Sequence, residues 1–315
     1  MMRKVTISCV SDHAYVAENS QSIDEIMSGT IRQWKLQINK VLPDKPDLLV
    51  LPELCDRPKV NSISREKQIE LIQSGNTEFL KYLQDVAKTN KIYIAYPSFR
   101  TDADGNLRNS NSIIDRNGEV IASYDKNHLV MAESTELGAH YSEDLLVLDL
   151  DFGRVGFAIC FDLNFTELLD KYRNKGVEIL IFSSEYHGGL MQNYWAYQLR
   201  AFFAGAIRPP APCSIVSPLG ELVAKSTNYH SYITESINLN YFIVHLDENW
   251  DKITLMKQKY GKNVSVIDPG QLGVVMISIE SEGLMKEAII AEFGFLLIDD
   301  YLELSRNHRI HSLEI

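Results

Sequence analysis

Asp47-Leu48-Leu49-Val50-Leu51-Pro52-Glu53 is the stretch from which the fold is read. Its apolar run does not alternate with polar residues, as a strand with one wet face would. An unbroken run of this length marks a strand covered on both faces. Pro43 and Pro46 break the chain just before it, and upstream Asp24–Lys40 carries Ile26, Ile31, Trp34 and Ile38 at the spacing of one helix face. A helix therefore feeds a buried strand. Outward from this pair, Val5–Val10 reads as a first buried strand. Ser64–Gln73 and Thr77–Lys88 read as two further helices, the second with Thr77 as its N-cap.

The middle of the chain changes rhythm. Lys91–Ser98, Asn111–Ile114, Val120–Lys126, Leu145–Leu150 and Val155–Ile159 are short strand patterns. Asp104-Gly105, Asn117-Gly118 and Phe152-Gly153 separate them with hairpin chemistry. Asp102–Gly105 lacks the spacing of a calcium loop and reads as a turn. After Cys160 the spacing predicts a helix over Phe165–Lys175, a strand over Glu178–Ser183 and a helix over Gln192–Ala206. A hairpin around Leu219-Gly220 within Ser214–Lys225 follows, then a strand over Tyr241–Leu246. With no repeat and no linker-like shift in composition, residues 1–315 read as one domain, with 250–315 as an extension that includes the apolar Leu272–Ile279. Two sheets with helices outside make a layered α/β (or α+β) sandwich.

Charge and composition narrow the partners. Among 315 residues, 31 Lys and Arg face 42 Asp and Glu, for a net charge of −11, which repels nucleic acid and anionic membrane alike. At 45% hydrophobic and 23% charged, the chain buries a proper core. The opening MMRKVTISCV has no signal-peptide run, and stretches such as Ile179–Phe182 fall far short of the ~20 residues of a membrane span. A cytoplasmic location is the expectation. The cysteines, 9, 55, 160 and 213, form no CxxC or CxxH pair, which argues against zinc, and a chain without a secretory signal gives little reason to pair them as disulfides.

One of the four sits where chemistry is possible. Cys160 closes the strand Val155-Gly156-Phe157-Ala158-Ile159, and Asp162 and Asn164 just beyond it are N-cap types. A thiol at a strand-to-helix turn is presented beside the first helical N–H groups. Since the thiolate is the nucleophile and a free thiol has pKa ~8.5, it needs a base or cation nearby. Cys9 and Cys213 lie in strand-like runs and read as packing; Cys55 flanks Glu53. Glu53 ends one buried strand and Lys126 ends another, with Glu133 and Glu136 in the loop that follows. Singly these are ordinary strand termini and surface acids. Together, carboxylate, ammonium and thiol each stand at a strand end in the order Glu, Lys, Cys.

On these stretches the chain resembles the nitrilase superfamily, the carbon–nitrogen hydrolases. The matches are Leu51-Pro52-Glu53, Tyr124-Asp125-Lys126-Asn127-His128-Leu129, and Gly156 through Glu167 around Cys160, with weaker echoes at Glu133-Ser134, Trp195, Arg200-Ala201 and Ser217–Glu221. The resemblance runs from about Val5 to Asp247. It implies a four-layer α-β-β-α sandwich of two mixed sheets that pairs through a helical face into a homodimer or larger homo-oligomer, with 250–315 available for those contacts. It also implies Glu53 as general base, Lys126 as oxyanion stabiliser, Cys160 as nucleophile and Glu133 as second carboxylate, with Glu136 as the fallback. The implied path is attack on a C–N carbon, a thioester, release of ammonia or an amine, then hydrolysis, with no metal or organic cofactor.

The physical chemistry agrees with those roles. Glu53 would take the thiol proton and later activate water, which on this reading calls for a pKa raised by burial. Lys126 favours the thiolate and stabilises the tetrahedral oxygen, and the Phe161 N–H is the natural second donor. Phe161-Asp162 after the nucleophile, where nitrile hydrolysis usually goes with Trp-Glu, favours a small amide or N-carbamoyl amine over a nitrile. Ser183 through Gly189 is expected to line the pocket, with Tyr186 in contact with substrate and Glu185 available to a cationic one. Arg200–Gly205 and Arg208-Pro209-Pro210 depart from the family pattern. Two other readings stand beside this one: a Cys–His acyl enzyme using His128 or His187, and a non-catalytic binding protein that keeps the fold.

Overall fold

A computed structural model of the chain describes residues 3–75 and 77–313. They run in the order β1 (Lys4–Val10), α1 (Ile23–Val41), β2 (Leu48–Val50), α2 (Arg65–Gln73), α3 (Thr77–Asn90), β3 (Tyr93–Thr101), β4 (Leu107–Ile114) and β5 (Val120–Asp125). Next come α4 (Met131–Thr135), β6 (Val147–Asp149), β7 (Arg154–Ile159), α5 (Thr166–Tyr172), β8 (Ile179–Ser184) and α6 (Leu190–Leu199). The strands β9 (Phe202–Ile207), β10 (Ser214–Val216), β11 (Leu222–Lys225) and β12 (Tyr232–Asn238) follow. One six-stranded sheet has the order β12-β1-β2-β3-β4-β5 and the other β11-β10-β9-β8-β7-β6. Each is mixed: β1, β2 and β3 run parallel, as do β7, β8 and β9, with antiparallel strands beside them.

Helices cover the outer face of each sheet, as the apolar patterns dictate. Ile26, Trp34 and Ile38 of α1 and Phe79 and Leu83 of α3 pack with Leu49, Leu51, Ile94 and Ile114 in one core cluster. Ser22 caps α1 with a reciprocal bond to Glu25, worth about 1 kcal/mol. On the second sheet, the Tyr172 hydroxyl of α5 bonds the backbone N–H and C=O of Phe157 at 2.9 and 2.7 Å. Gly156 leaves the space that this ring fills, since a Cβ there would lie 2.8 Å from Tyr172. Between the sheets, Tyr124 stacks on Phe157 with centroids 6.2 Å apart. Ser183 donates to the Leu51 carbonyl and accepts from Asn111. The α-β-β-α sandwich expected for this region is present.

Two local expectations are corrected. Thr77 begins α3 rather than capping it, and the preceding position lies outside the described residues. The helix read over Gln192–Ala206 stops at Leu199: Arg200 turns left-handed with φ 55°, and Phe202–Ile207 becomes the buried strand β9. Its Phe and Ala residues suit either state, so sheet pairing with β8 decided the outcome.

By packing density the described residues divide into two compact units, Val5–Ser236 and a second formed by residues 237–313 with residues 3 and 4. The second unit has its own sheet. That sheet is β13 (Tyr241–His245), β14 (Val264–Ile267) and β15 (Val274–Ile279), in the order β13-β15-β14. Helices α7 (Trp250–Tyr260), α8 (Lys286–Phe293) and α9 (Ile298–Leu313) complete it, and Met256, Val275, Ile277 and Ile289 share its core. No helix among the described residues is long and apolar enough to cross a membrane.

Candidate active site

Parallel strands deliver residues at their carboxyl ends to a common rim. Glu53 follows β2, Lys126 follows β5, Cys160 follows β7, and all three are buried. The Lys126 ammonium lies 2.8 Å from Glu53 Oε1 and 2.8 Å from Glu133 Oε2. Asn109, in the middle of β4, donates its amide to both carboxylates, at 2.8 Å to Glu53 and 2.6 Å to Glu133. The other Glu53 oxygen accepts the Glu185 backbone N–H at 3.3 Å. Glu133 rides on α4, whose first turn it closes by accepting the Val130 N–H at 2.8 Å. Glu136 makes none of these contacts: it faces Arg65 at 3.6 Å, more than half exposed.

Both turns at the rim use left-handed backbone. Leu54, directly after Glu53, has φ 50°, and Cys160 has φ 46°. Such conformations cost on the order of 1–3 kcal/mol in a non-glycine residue and persist only where the surroundings impose them. At Cys160 the imposing group is Asp162, fully buried. Its Oδ2 accepts the Ile159 N–H at 3.0 Å and the Tyr124 hydroxyl at 2.8 Å. Its Oδ1 accepts the His128 N–H at 2.8 Å, two residues past Lys126. One carboxylate thus fixes the Cys160 turn and the segment carrying the Lys126 ammonium. All four cysteines are free and buried.

The electrostatics differ from the sequence expectation in one respect. Burial alone pushes the Glu53 carboxyl up, but the Lys126 charge, with hydrogen bonds from Lys126, Cys160 and Asn109, outweighs it and holds the group below its ordinary range. Glu53 is therefore an ionised base at rest, not one raised by burial. Lys126 would be pulled down by desolvation, yet Glu53, Glu133 and Cys160 keep it firmly charged, well above its usual value. Burial, then the charge of Glu53, drive the Cys160 thiol up against the opposing pull of Lys126. The resting pair is a thiol beside a carboxylate.

A cavity of about 510 Å³ opens onto this cluster, within the range of small-molecule sites. Glu53, Lys126, Glu133 and Cys160 form its floor with Leu54, Phe99, Leu137 and Ile72 as apolar wall, and Arg57, Arg208 and Glu185 also line it. Of the expected pocket residues, Glu185 is there, but Arg208 holds it at 2.6 Å, so its charge is already answered. Phe161 and Tyr186 are not part of the lining. The Phe161 ring packs edge-on against Phe165, and the Tyr186 hydroxyl accepts from Asn164 at 3.0 Å and is pushed up to about 12, chiefly by burial. The two candidate histidines are committed elsewhere: His128 stacks on Phe165 and approaches Asp162, and His187 Nδ1 accepts the Gly189 N–H.

Sequence reasoning missed Asn109, Arg57 and Arg208. Asn109 had a signal, since Arg108-Asn109-Ser110-Asn111-Ser112 puts polar side chains inside a strand that is buried over most of its length. Arg57 had none, because its loop carries no period, and Arg208 stood out only as a departure from the family pattern.

A family model described as carbon–nitrogen hydrolase matches residues 25–242, more than half the chain, and the protein belongs to that family, within the nitrilase superfamily. It is a hydrolase of carbon–nitrogen bonds by membership. It is 28% identical over 221 residues to the deaminated glutathione amidase of Dictyostelium discoideum, covering 65% of this chain and 74% of the relative. It is 27% identical over 264 residues to omega-amidase NIT2-A of Xenopus laevis, covering 75% and 91%. Among solved structures, a variant of the amidase from Nesterenkonia sp. AN1, with acrylamide added at its active-site cysteine, superposes with TM-score 0.56 at 17% identity, covering 74% of this chain and 92% of that one.

Proposed function

We propose that the protein hydrolyses the C–N bond of a small amide or N-carbamoyl amine through a thioester on Cys160. The observation that carries this reading is the convergence of Lys126, 2.8 Å from Glu53, with the buried Cys160 on the floor of one cavity. Glu53 takes the Sγ proton as sulfur attacks the carbonyl carbon, so the thiolate never accumulates. The carbonyl π pair moves to oxygen, where the Lys126 ammonium receives the charge. Collapse of this intermediate breaks the C–N bond, and the proton held by Glu53 leaves with the departing nitrogen. Glu53 then removes a proton from water as its oxygen attacks the thioester, and the acid and the Sγ–H thiol are released. Glu133 fixes Lys126 and closes the site against α4.

The amidase relatives and the cysteine adduct of the Nesterenkonia enzyme support the same reaction class. The test is ammonia release across a panel of amides, N-carbamoyl amines and nitriles, with Cys160→Ala as the blank. Release from amides or N-carbamoyl amines, absent in Cys160→Ala, is expected; release that survives the substitution defeats the proposal. Faster release from nitriles would move the protein to a different reaction. We also read the chain as pairing with a second copy, which light scattering of the purified protein decides.

A further inference from the structure

Cys160 has a neighbour that the hydrolysis scheme does not use. β7 and β8 run parallel with Ile159 opposite Ser183, so Cys160 and Ser184 leave the two strands side by side at the rim. Ser184 is fully buried. The two serines that end β8 are differently occupied. Ser183 turns its hydroxyl between the sheets, to the Leu51 carbonyl at 2.8 Å. Ser184 Oγ accepts the Tyr186 N–H at 3.0 Å and donates to the Tyr186 carbonyl at 2.7 Å, a local bond within one turn. The Ser184 carbonyl accepts the Arg208 N–H at 3.0 Å, which fixes the backbone behind the hydroxyl. Burial and the Glu53 charge disfavour ionisation of the Cys160 sulfur, whereas Lys126 and a hydrogen bond from the Ser184 side chain favour it.

A hydroxyl has one proton and two lone pairs, and the proton rotates to the best acceptor. At rest that acceptor is the Tyr186 carbonyl, because a neutral thiol accepts weakly. We propose that the Ser184 hydroxyl swings its proton from the Tyr186 carbonyl to the Cys160 sulfur whenever negative charge builds there. The inference rests on Cys160 as nucleophile. Sulfur carries that charge twice in the reaction, once as Glu53 takes its proton and again as the C–S bond of the thioester breaks. A hydrogen bond to an ionised acceptor is roughly twice as strong as a neutral one, so the exchange favours the charged sulfur at both moments. Ser184 keeps its proton throughout, and the Tyr186 N–H continues to hold the oxygen in place. The two donors divide the work: Lys126 answers the carbonyl oxygen and Ser184 the sulfur.

The test is the rate at which iodoacetamide alkylates Cys160 at fixed pH, read by mass spectrometry, in wild type and Ser184→Ala. Losing the donor should raise the thiol pKa by about one to two units. The thiolate fraction falls accordingly, and the more basic sulfur recovers about half of the loss in nucleophilicity. Alkylation should therefore slow about three- to fifteenfold. A purely structural role has the opposite sign: a loosened turn admits water, relieves the burial that holds the thiol protonated, and speeds alkylation. Unchanged or faster alkylation in Ser184→Ala overturns the donor and leaves the hydrolysis reading intact. Ser184→Thr keeps the hydroxyl and should restore most of the rate; a rate as slow as in the alanine variant also overturns it. On a cleaved amide, Ser184→Ala should lower kcat about tenfold with KM little changed, and a loss confined to KM counts against the donor. Alkylation needs no substrate, so it decides Ser184 even if no Cys160-dependent ammonia release is found, which would defeat the hydrolysis reading alone.

Discussion

Lys126 and Glu53 form an ion pair at 2.8 Å with side chains 1% and 4% exposed. A buried ammonium is costly unless its charge is met, and here Glu133 meets it as well, at 2.8 Å. The reverse also holds: the Lys126 charge, with a hydrogen bond from Asn109, keeps the buried Glu53 carboxyl ionised. The same contact that keeps Lys126 charged also keeps Glu53 charged.

Removing the cation should therefore harm more than the reaction. Lys126→Met leaves Glu53 and Glu133 facing each other unbalanced, and we expect a loss of about 3–5 kcal/mol in urea unfolding. Ammonia release should fall by at least ~10²–10³-fold. Adding Glu133→Gln should recover part of the stability and none of the activity. A single variant destabilised by less than about 1 kcal/mol would contradict the buried-pair argument.

The pH dependence follows from Glu53. Its folded value lies below the unfolded carboxylate value of ~4.3, so the unfolded chain binds the proton more readily. Its contribution to stability is thus complete above the unfolded value and is lost as pH falls through the folded one. The acid limb of kcat/KM and the acid unfolding transition should both lie below the ordinary Glu range. An acid limb at pH 6–7, the mark of a base raised by burial, would show that Glu53 is not paired as described.

Glu133 and Glu136 separate cleanly by environment. Glu133→Gln loses an ion pair to the buried Lys126 and should lower kcat by about tenfold to a hundredfold, since a positioned donor is disturbed. Glu136→Gln breaks only a half-exposed contact with Arg65, and such pairs contribute ~0–1 kcal/mol. Comparable kcat losses in the two variants would remove the distinction.

Asp162→Asn tests the strap across the site. Its amide must place a donor against the N–H of either Ile159 or His128, both of which now donate to carboxylate oxygens. Loss of about 1–3 kcal/mol is expected from one unmet buried donor. Because that strap holds the turn at Cys160 and the chain after Lys126, kcat should drop with KM little changed. A KM effect without a kcat effect would mean Asp162 serves binding instead.

Much of this was readable before the structure. Leu48–Leu51 and Val155–Ile159 are continuous apolar runs whose length and flanks fit only buried strands, and each hands its next polar or reactive residue to the rim. Glu133 was read in a loop because α4 is a five-residue helix, too short to show a period. Arg200 ended a helix that Gln192–Ala206 was expected to continue, since the turn depends on β9 finding β8. Fold class and family survive these local errors, because they rest on several separate stretches rather than on any one boundary.

The order Glu53, Lys126, Cys160 and the strands that end at them are properties of the sequence, fixed by which residues must leave water and at what spacing. Folding alone decided the protonation and the company of those side chains. Glu53 is below its usual range because an ammonium 73 residues away lies 2.8 Å from it, and Arg57 shares an acceptor with Arg208 across a turn that no periodicity announces. Electrostatic energy depends on distance through space in a medium that excludes water, and neither quantity is written in the linear order of the chain.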